Sequence, residues 1–209
     1  MSARRLAVLL DGEYVRKTLK RVLGRKPLAE DIVAETNRIE KAAPCVGFAV
    51  YRVYFYTAEP MTGVVRRPLD GRLVDFSGTD VFEAGRALIT SLEFTPRFAV
   101  RRGSLVHHGW QIGRKAGREL QRGRKRVIEA RDIVPRIEQK GVDMRIGLDI
   151  ATLALKRIVD AIVLVTGDAD LVPAIKLARR EGLQVFVDTL GAGHVRSELR
   201  AHADEVLTR

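Results

Sequence analysis

The chain has one cysteine, Cys45, one tryptophan, Trp110, and four histidines in 209 residues. A lone cysteine excludes an internal disulfide and fits a reducing, cytoplasmic setting. No Cys or His spacing suggests zinc. No apolar run approaches the ~20 residues that cross a bilayer, so no membrane partner is expected. The amino-terminal stretch MSARRLAVLL reaches Asp11 too early to read as a signal peptide. There is no serine nucleophile elbow. Gly191-Ala192-Gly193 lacks the long glycine-rich pattern that follows a first strand, so dinucleotide binding is unsupported. Repeats and low-complexity segments are absent as well.

Acidic charge is also in deficit. Asp and Glu number 26 against 37 Lys and Arg, a net charge of +11. Such a balance points to a polyanionic partner, most simply nucleic acid. The excess concentrates between Arg97 and Arg136, where the only acids are Glu119, Glu129 and Asp132. Arg101, Arg102, Arg114, Lys115, Arg122, Arg124, Lys125 and Arg126 are the candidate phosphate contacts in that stretch. Trp110, between Arg102 and Arg114, could stack on a base or simply pack, and composition favours packing. His107-His108 reads as an exposed pair.

Hydrophobic residues make up 46% of the chain, enough for a sizeable core. The apolar runs Leu6–Leu10 and Ile162–Val165 predict strands buried on both faces, hence neighbours in a parallel sheet. Phe48–Tyr56 and Leu183–Val187 read as further strands, the latter the last. Helices are predicted over 13–23, 29–42, 81–92, 142–157, 171–181 and 194–207. Strands alternating with helices indicate an α/β fold. From about 59 to 126 this rhythm is interrupted. That region reads as a basic insertion in a single domain over 1–209, with a hairpin turning at Gly103-Ser104 and a basic helix or loop over 113–126.

Acids at the carboxyl ends of parallel strands lie where open α/β sheets build their sites. Asp11 ends the first strand, and Asp168 and Asp170 follow the Ile162–Val165 strand. Asp143 opens the 142–157 helix. At about 100° per residue, Asp143 and Asp149 fall towards the stripe of Ile146, Ile150, Leu153 and Ala154. A carboxylate on such a stripe is costly unless paired or metal-bound. Converging carboxylates suit Mg²⁺ or Mn²⁺, and a metal-bound acid cluster beside a basic surface can hydrolyse phosphodiesters. The plainer readings are that Asp170 caps the following helix, Asp143 favours a helix dipole, and Asp149 pairs with Arg145 or Lys156. Glu13 could join the acids or merely begin a helix, and Asp188, also after a strand, has no further signal.

The segments VLLDGEY, KGVDMRIGLDIATLA, VTGDADLVPAIKLARREG and SELRAHADEV resemble the NYN domain, in the LabA-like bacterial group of the PIN-like nuclease superfamily. Tyr14 stands where many relatives carry Asn. Ala169-Asp170-Leu171 stands where they often carry Ser-Asp-Phe. The resemblance implies a PIN-like three-layer α/β/α fold with a mainly parallel central sheet and metal-dependent RNA cleavage. It points to Asp11, Asp143 and Asp168 as catalytic metal ligands, then to Asp170 and Asp149. RNA, or another nucleic acid, is the expected partner, and the sequence also admits a homo-oligomer. Two alternatives stay open. One is an RNA-binding or regulatory module that cleaves poorly. The other is a haloacid-dehalogenase-like phosphatase, which needs a second Asp where Glu13 stands.

Overall fold

In this computed structural model, residues 3–192 and 195–208 are described. The elements in chain order are β1 (Arg4–Asp11), α1 (Gly12–Leu23), α2 (Ala29–Glu40), β2 (Phe48–Ala58), β3 (Val64–Arg66), β4 (Leu73–Asp75), α3 (Asp80–Glu93), β5 (Phe98–Ile112), α4 (Arg114–Gln121), β6 (Ile133–Lys140), α5 (Val142–Leu155), β7 (Ala161–Val165), α6 (Val172–Arg180), β8 (Gln184–Asp188), α7 (Ser197–His202) and β9 (Glu205–Leu207). The strand order of the mostly parallel main sheet is β6-β5-β2-β1-β7-β8-β9. The fold is α/β and consistent with the PIN-like α/β/α architecture.

The uninterrupted apolar runs become the centre of that sheet. β1 pairs in parallel with β2 on one side and with β7 on the other, Leu6 opposite Ala161 and Leu10 opposite Val165. Side chains alternate across the sheet. Leu6, Val8, Leu10, Val163 and Val165 pack into one core with Val15 and Leu19 of α1 and Ile32 and Ile39 of α2. Ala7, Leu9, Ile162 and Leu164 pack into a second core with Ile146 and Ile150 of α5 and Ile175 of α6. Helices thus cover both faces, which is why these strands carry no polar alternation.

The chain forms a larger compact unit (Met1–Thr57, Leu88–Gly103, Gly141–Arg209) and a smaller one (Ala58–Ala87, Ser104–Lys140). The stretch 59–126 therefore does not coincide with either: residues 88–103 run in the larger unit, and the smaller extends to Lys140. In the smaller unit β3 pairs with β4, and Ser104–Ile112 pairs antiparallel with β6.

Three expectations are corrected. No hairpin turns at Gly103-Ser104, because β5 runs straight through them and Gly103 does not take the left-handed conformation. The partner of β5 is instead β6, whose half-polar sequence is interrupted by Pro135, and the irregularity falls at Gly109, with φ 81° beside a shift in register. The strand over 183–187 is not the last, since β9 pairs in parallel with β8. The terminal helix is short, Ser197–His202, before β9; its expected start, His194, lies outside the described residues, as does Gly193.

Candidate functional site

The carboxyl ends of β1 and β7 lie side by side, and α1 leaves β1 without a linker. Asp11 is the residue between them and caps α1: its Oδ1 accepts from the Tyr14 N–H at 3.2 Å. Its Oδ2 accepts from the hydroxyl of Thr166 at 3.2 Å, the first residue after β7. The same hydroxyl accepts from the Asp168 N–H at 3.1 Å, so one buried threonine joins the two strand ends. Asp168 then accepts from the Asp170 N–H at 3.0 Å and caps the 3-10 turn Ala169–Leu171. Asp168, not Asp170, does the capping here, and α6 starts only at Val172.

Two glycines let these ends approach. A Cβ on Gly12 would fall inside contact distance of the Tyr56 carbonyl oxygen. One on Gly167 would lie 2.5 Å from the Tyr14 ring. The Tyr14 hydroxyl donates to the Thr189 carbonyl at 2.9 Å, so Tyr14 touches the ends of β1, β7 and β8 together.

Asp143, in the first turn of α5, completes the group electrostatically. It is exposed rather than on the buried side: in the first turn of α5, Val142 is the residue that is buried. Partial burial pushes its carboxyl above the usual range, helped by the charges of Asp168, Asp170 and Glu13. Burial does the same to Asp11, with Asp143 and Glu13 adding to it against the two hydrogen bonds. Like charges within mutual range are what a divalent cation relieves, and the donors are all oxygens, which suits Mg²⁺ or Mn²⁺. Among the described residues, no three His, Cys, Asp or Glu side chains are gathered as a metal-ligand set.

Asp149 is placed elsewhere. Its carboxylate accepts from the Tyr56 hydroxyl at 2.9 Å and from Arg101 Nε at 2.9 Å, not from Arg145 or Lys156. Arg145 donates instead to the Gly141 carbonyl. Asp188, at the end of β8, is fully buried, paired with the Arg38 guanidinium and accepting from the Leu190 N–H at 2.6 Å. It shares the strand-end signal of Asp11, and only the arginine 150 positions away distinguishes it.

The basic candidates divide in two. Arg101 is held by Asp149 and lies over the Tyr54 ring, Arg102 pairs with Glu93, and Arg126 bridges Glu119 and Asp132. Arg114, Lys115, Arg122, Arg124 and Lys125 are exposed, with no ion pair among the described residues. Arg118, which sequence reasoning passed over, is like them; its place on the α4 face could have found it. Trp110 is half-buried and packs edge-on against His107, itself against Phe76.

No helix among the described residues is long and apolar enough to cross a membrane. A comparison with curated proteins returned no match. Among solved structures, the chain is similar to a protein of unknown function from Vibrio parahaemolyticus RIMD 2210633. Identity is 16%, the alignment covers 99% of this chain and 93% of that one, and the TM-score is 0.53. That likeness is one of fold. The family model of the NYN domain matches residues 100–208, a range that includes Asp143 and Asp168 and to which β1 adds Asp11 by pairing with β7. Matched over more than half its length, the chain belongs to the NYN domain family, within the PIN-like nuclease superfamily.

Proposed function

We propose that this protein is a metal-dependent nuclease that hydrolyses RNA phosphodiester bonds. The observation that carries the reading is that Asp11, where β1 ends beside β7, and Asp143 are both raised, first by burial and then by neighbouring carboxylates. Asp11, Asp143 and Asp168 would hold Mg²⁺ or Mn²⁺, with Asp170 beside them. When bound, such a cation lowers the pKa of water and neutralises charge at phosphorus.

The chain's own contribution is positioning. The Tyr14 N–H and the Thr166 hydroxyl orient the Asp11 carboxylate, and the Thr166 oxygen holds the Asp168 backbone. One oxygen of Asp168 accepts from the Asp170 N–H, and the other would be the one to meet a cation. Asp149 is left to Tyr56 and Arg101, where it serves the packing of α5.

Wild type and Asp11→Asn are compared in a cleavage time course on labelled RNA with Mn²⁺ and in melting curves without metal. The nuclease reading expects cleavage to be abolished and RNA affinity kept. A destabilised variant that cleaves at the wild-type rate would end the role of Asp11. A second reading, an RNA-binding module that cleaves poorly, is favoured by the lack of a gathered ligand set among the described residues. It expects RNA binding with no Mn²⁺-dependent turnover in wild type.

A further inference from the structure

The arginines and lysines of the central stretch are not equivalent, and the structure sorts them. Those held by carboxylates are Arg97, Arg101, Arg102, Arg126, Arg131, Arg136 and, just beyond, Lys140. The rest sit on α4 and the turn after it. At about 100° per residue, Arg114, Arg118 and Arg122 follow one another at about 0°, 40° and 80°, with Lys115 at about 100°. Arg124 and Lys125 follow in the turn past Gly123, whose φ is 73°. All six are exposed. The helix's one acid, Glu119, is taken up by Arg126, which also grips Asp132 at 2.6 Å. The Gly113 N–H donates to the Asp132 carbonyl at 2.7 Å. Both ends of α4 are thereby tied to the turn before β6, so the cationic face is held in place.

We propose that α4 and its following turn form a docking site for the phosphodiester backbone of an RNA strand, distinct from the acid cluster. Arginines four apart rise about 6 Å along a helix, presenting a row of charges to a row of phosphates. The face carries no aromatic group on which a base could stack, so its row of cations addresses the backbone. A membrane surface is disfavoured, because the helix has no apolar face to insert: Ala116 is buried and Leu120 is its only large apolar residue. The identity of the strand as RNA rests on the function proposed above; the anion-binding face does not.

The test measures binding of a labelled single-stranded RNA in EDTA across salt concentrations, so that cleavage plays no part. One variant carries Arg114→Gln, Arg118→Gln, Arg122→Gln and Arg124→Gln. A charge-matched control carries Lys20→Gln, Lys41→Gln, Lys176→Gln and Arg180→Gln, all exposed and outside the stretch. At roughly 0.7 per phosphate contact, the α4 variant is expected to flatten the log–log salt slope by about 3, and the control to leave it unchanged. Lysine at the four α4 positions is expected to restore most of the slope, which separates lost charge from a lost fold. Equal flattening by both variants, or by neither, would overturn the proposal. So would loss of binding to phosphatidylserine vesicles with RNA binding intact. A wild type that shows the α4 effect yet never cleaves with Mn²⁺ ends the nuclease reading and leaves this one; cleavage with unchanged slopes does the reverse.

Discussion

At the scale of single residues, Tyr14 and Gly167 are one device. Gly167→Ala would drive a methyl group into the Tyr14 ring, and overpacking of that kind costs about 1–3 kcal/mol. A lower melting temperature is expected, with part of the loss recovered when Tyr14→Ser removes the ring; a double variant no better than Gly167→Ala would deny the contact. Asp11 yields a pH prediction. Its folded pKa is raised, so the folded state binds more protons than the unfolded state above pH 3.8. The stability associated with it is present below that value and lost as pH rises through the folded pKa. Asp11→Asn is therefore expected to melt higher than wild type at neutral pH without metal, with the gap closing as pH falls through the raised folded pKa and gone below 3.8. A gap independent of pH would contradict this. Asp188 is a buried partner of Arg38. Asp188→Asn leaves that half-buried guanidinium with Glu35 alone as its counter-ion, and a loss of about 2 kcal/mol in urea unfolding is expected. Cys45, whose thiol is pushed up to about 11 by burial, is expected to resist thiol reagents until the protein unfolds.

At the scale of elements, the parallel strands and the helices behind them follow from local pattern. Apolar runs and helical spacing are properties of neighbouring residues. β6 is the counter-example. Half of its residues, IVPRIEQK, are polar or charged, Pro135 interrupts them, and its strand state depends on β5. It is steadied by Glu138, whose carboxyl is held down at about 2 by Lys140 and Arg136. That contribution is present above pH 4.5 and lost as pH falls towards 2. The anchor of α4 is also testable. Arg126→Ala frees Glu119 and Asp132, and for a partly exposed pair only about 1 kcal/mol or less is at stake. Amide exchange in α4 is expected to quicken while α5 stays protected; uniform quickening would place the anchor elsewhere.

At the scale of the molecule, a chain with net charge +11 carries a group of mutually repelling acids at one sheet edge. Binding of Mn²⁺ there is expected to raise the melting temperature, by the equivalent of about 2.7 kcal/mol at a hundred times the dissociation constant. Asp168→Asn should shrink that rise, and an undiminished rise would remove Asp168 from the set. Composition and apolar runs made the α/β class and the edge bearing Asp11 and Asp168 legible, because both depend on residues adjacent in the chain. Which acid is paired and which is left among its own kind depends on segments far apart: Asp188 with Arg38, Asp149 with Arg101 and Tyr56, Asp11 with Thr166. The same holds for the arginines, alike in sequence and separated only by whether a carboxylate lies within reach. Local pattern decides where a side chain emerges; only the folded chain decides what meets it there.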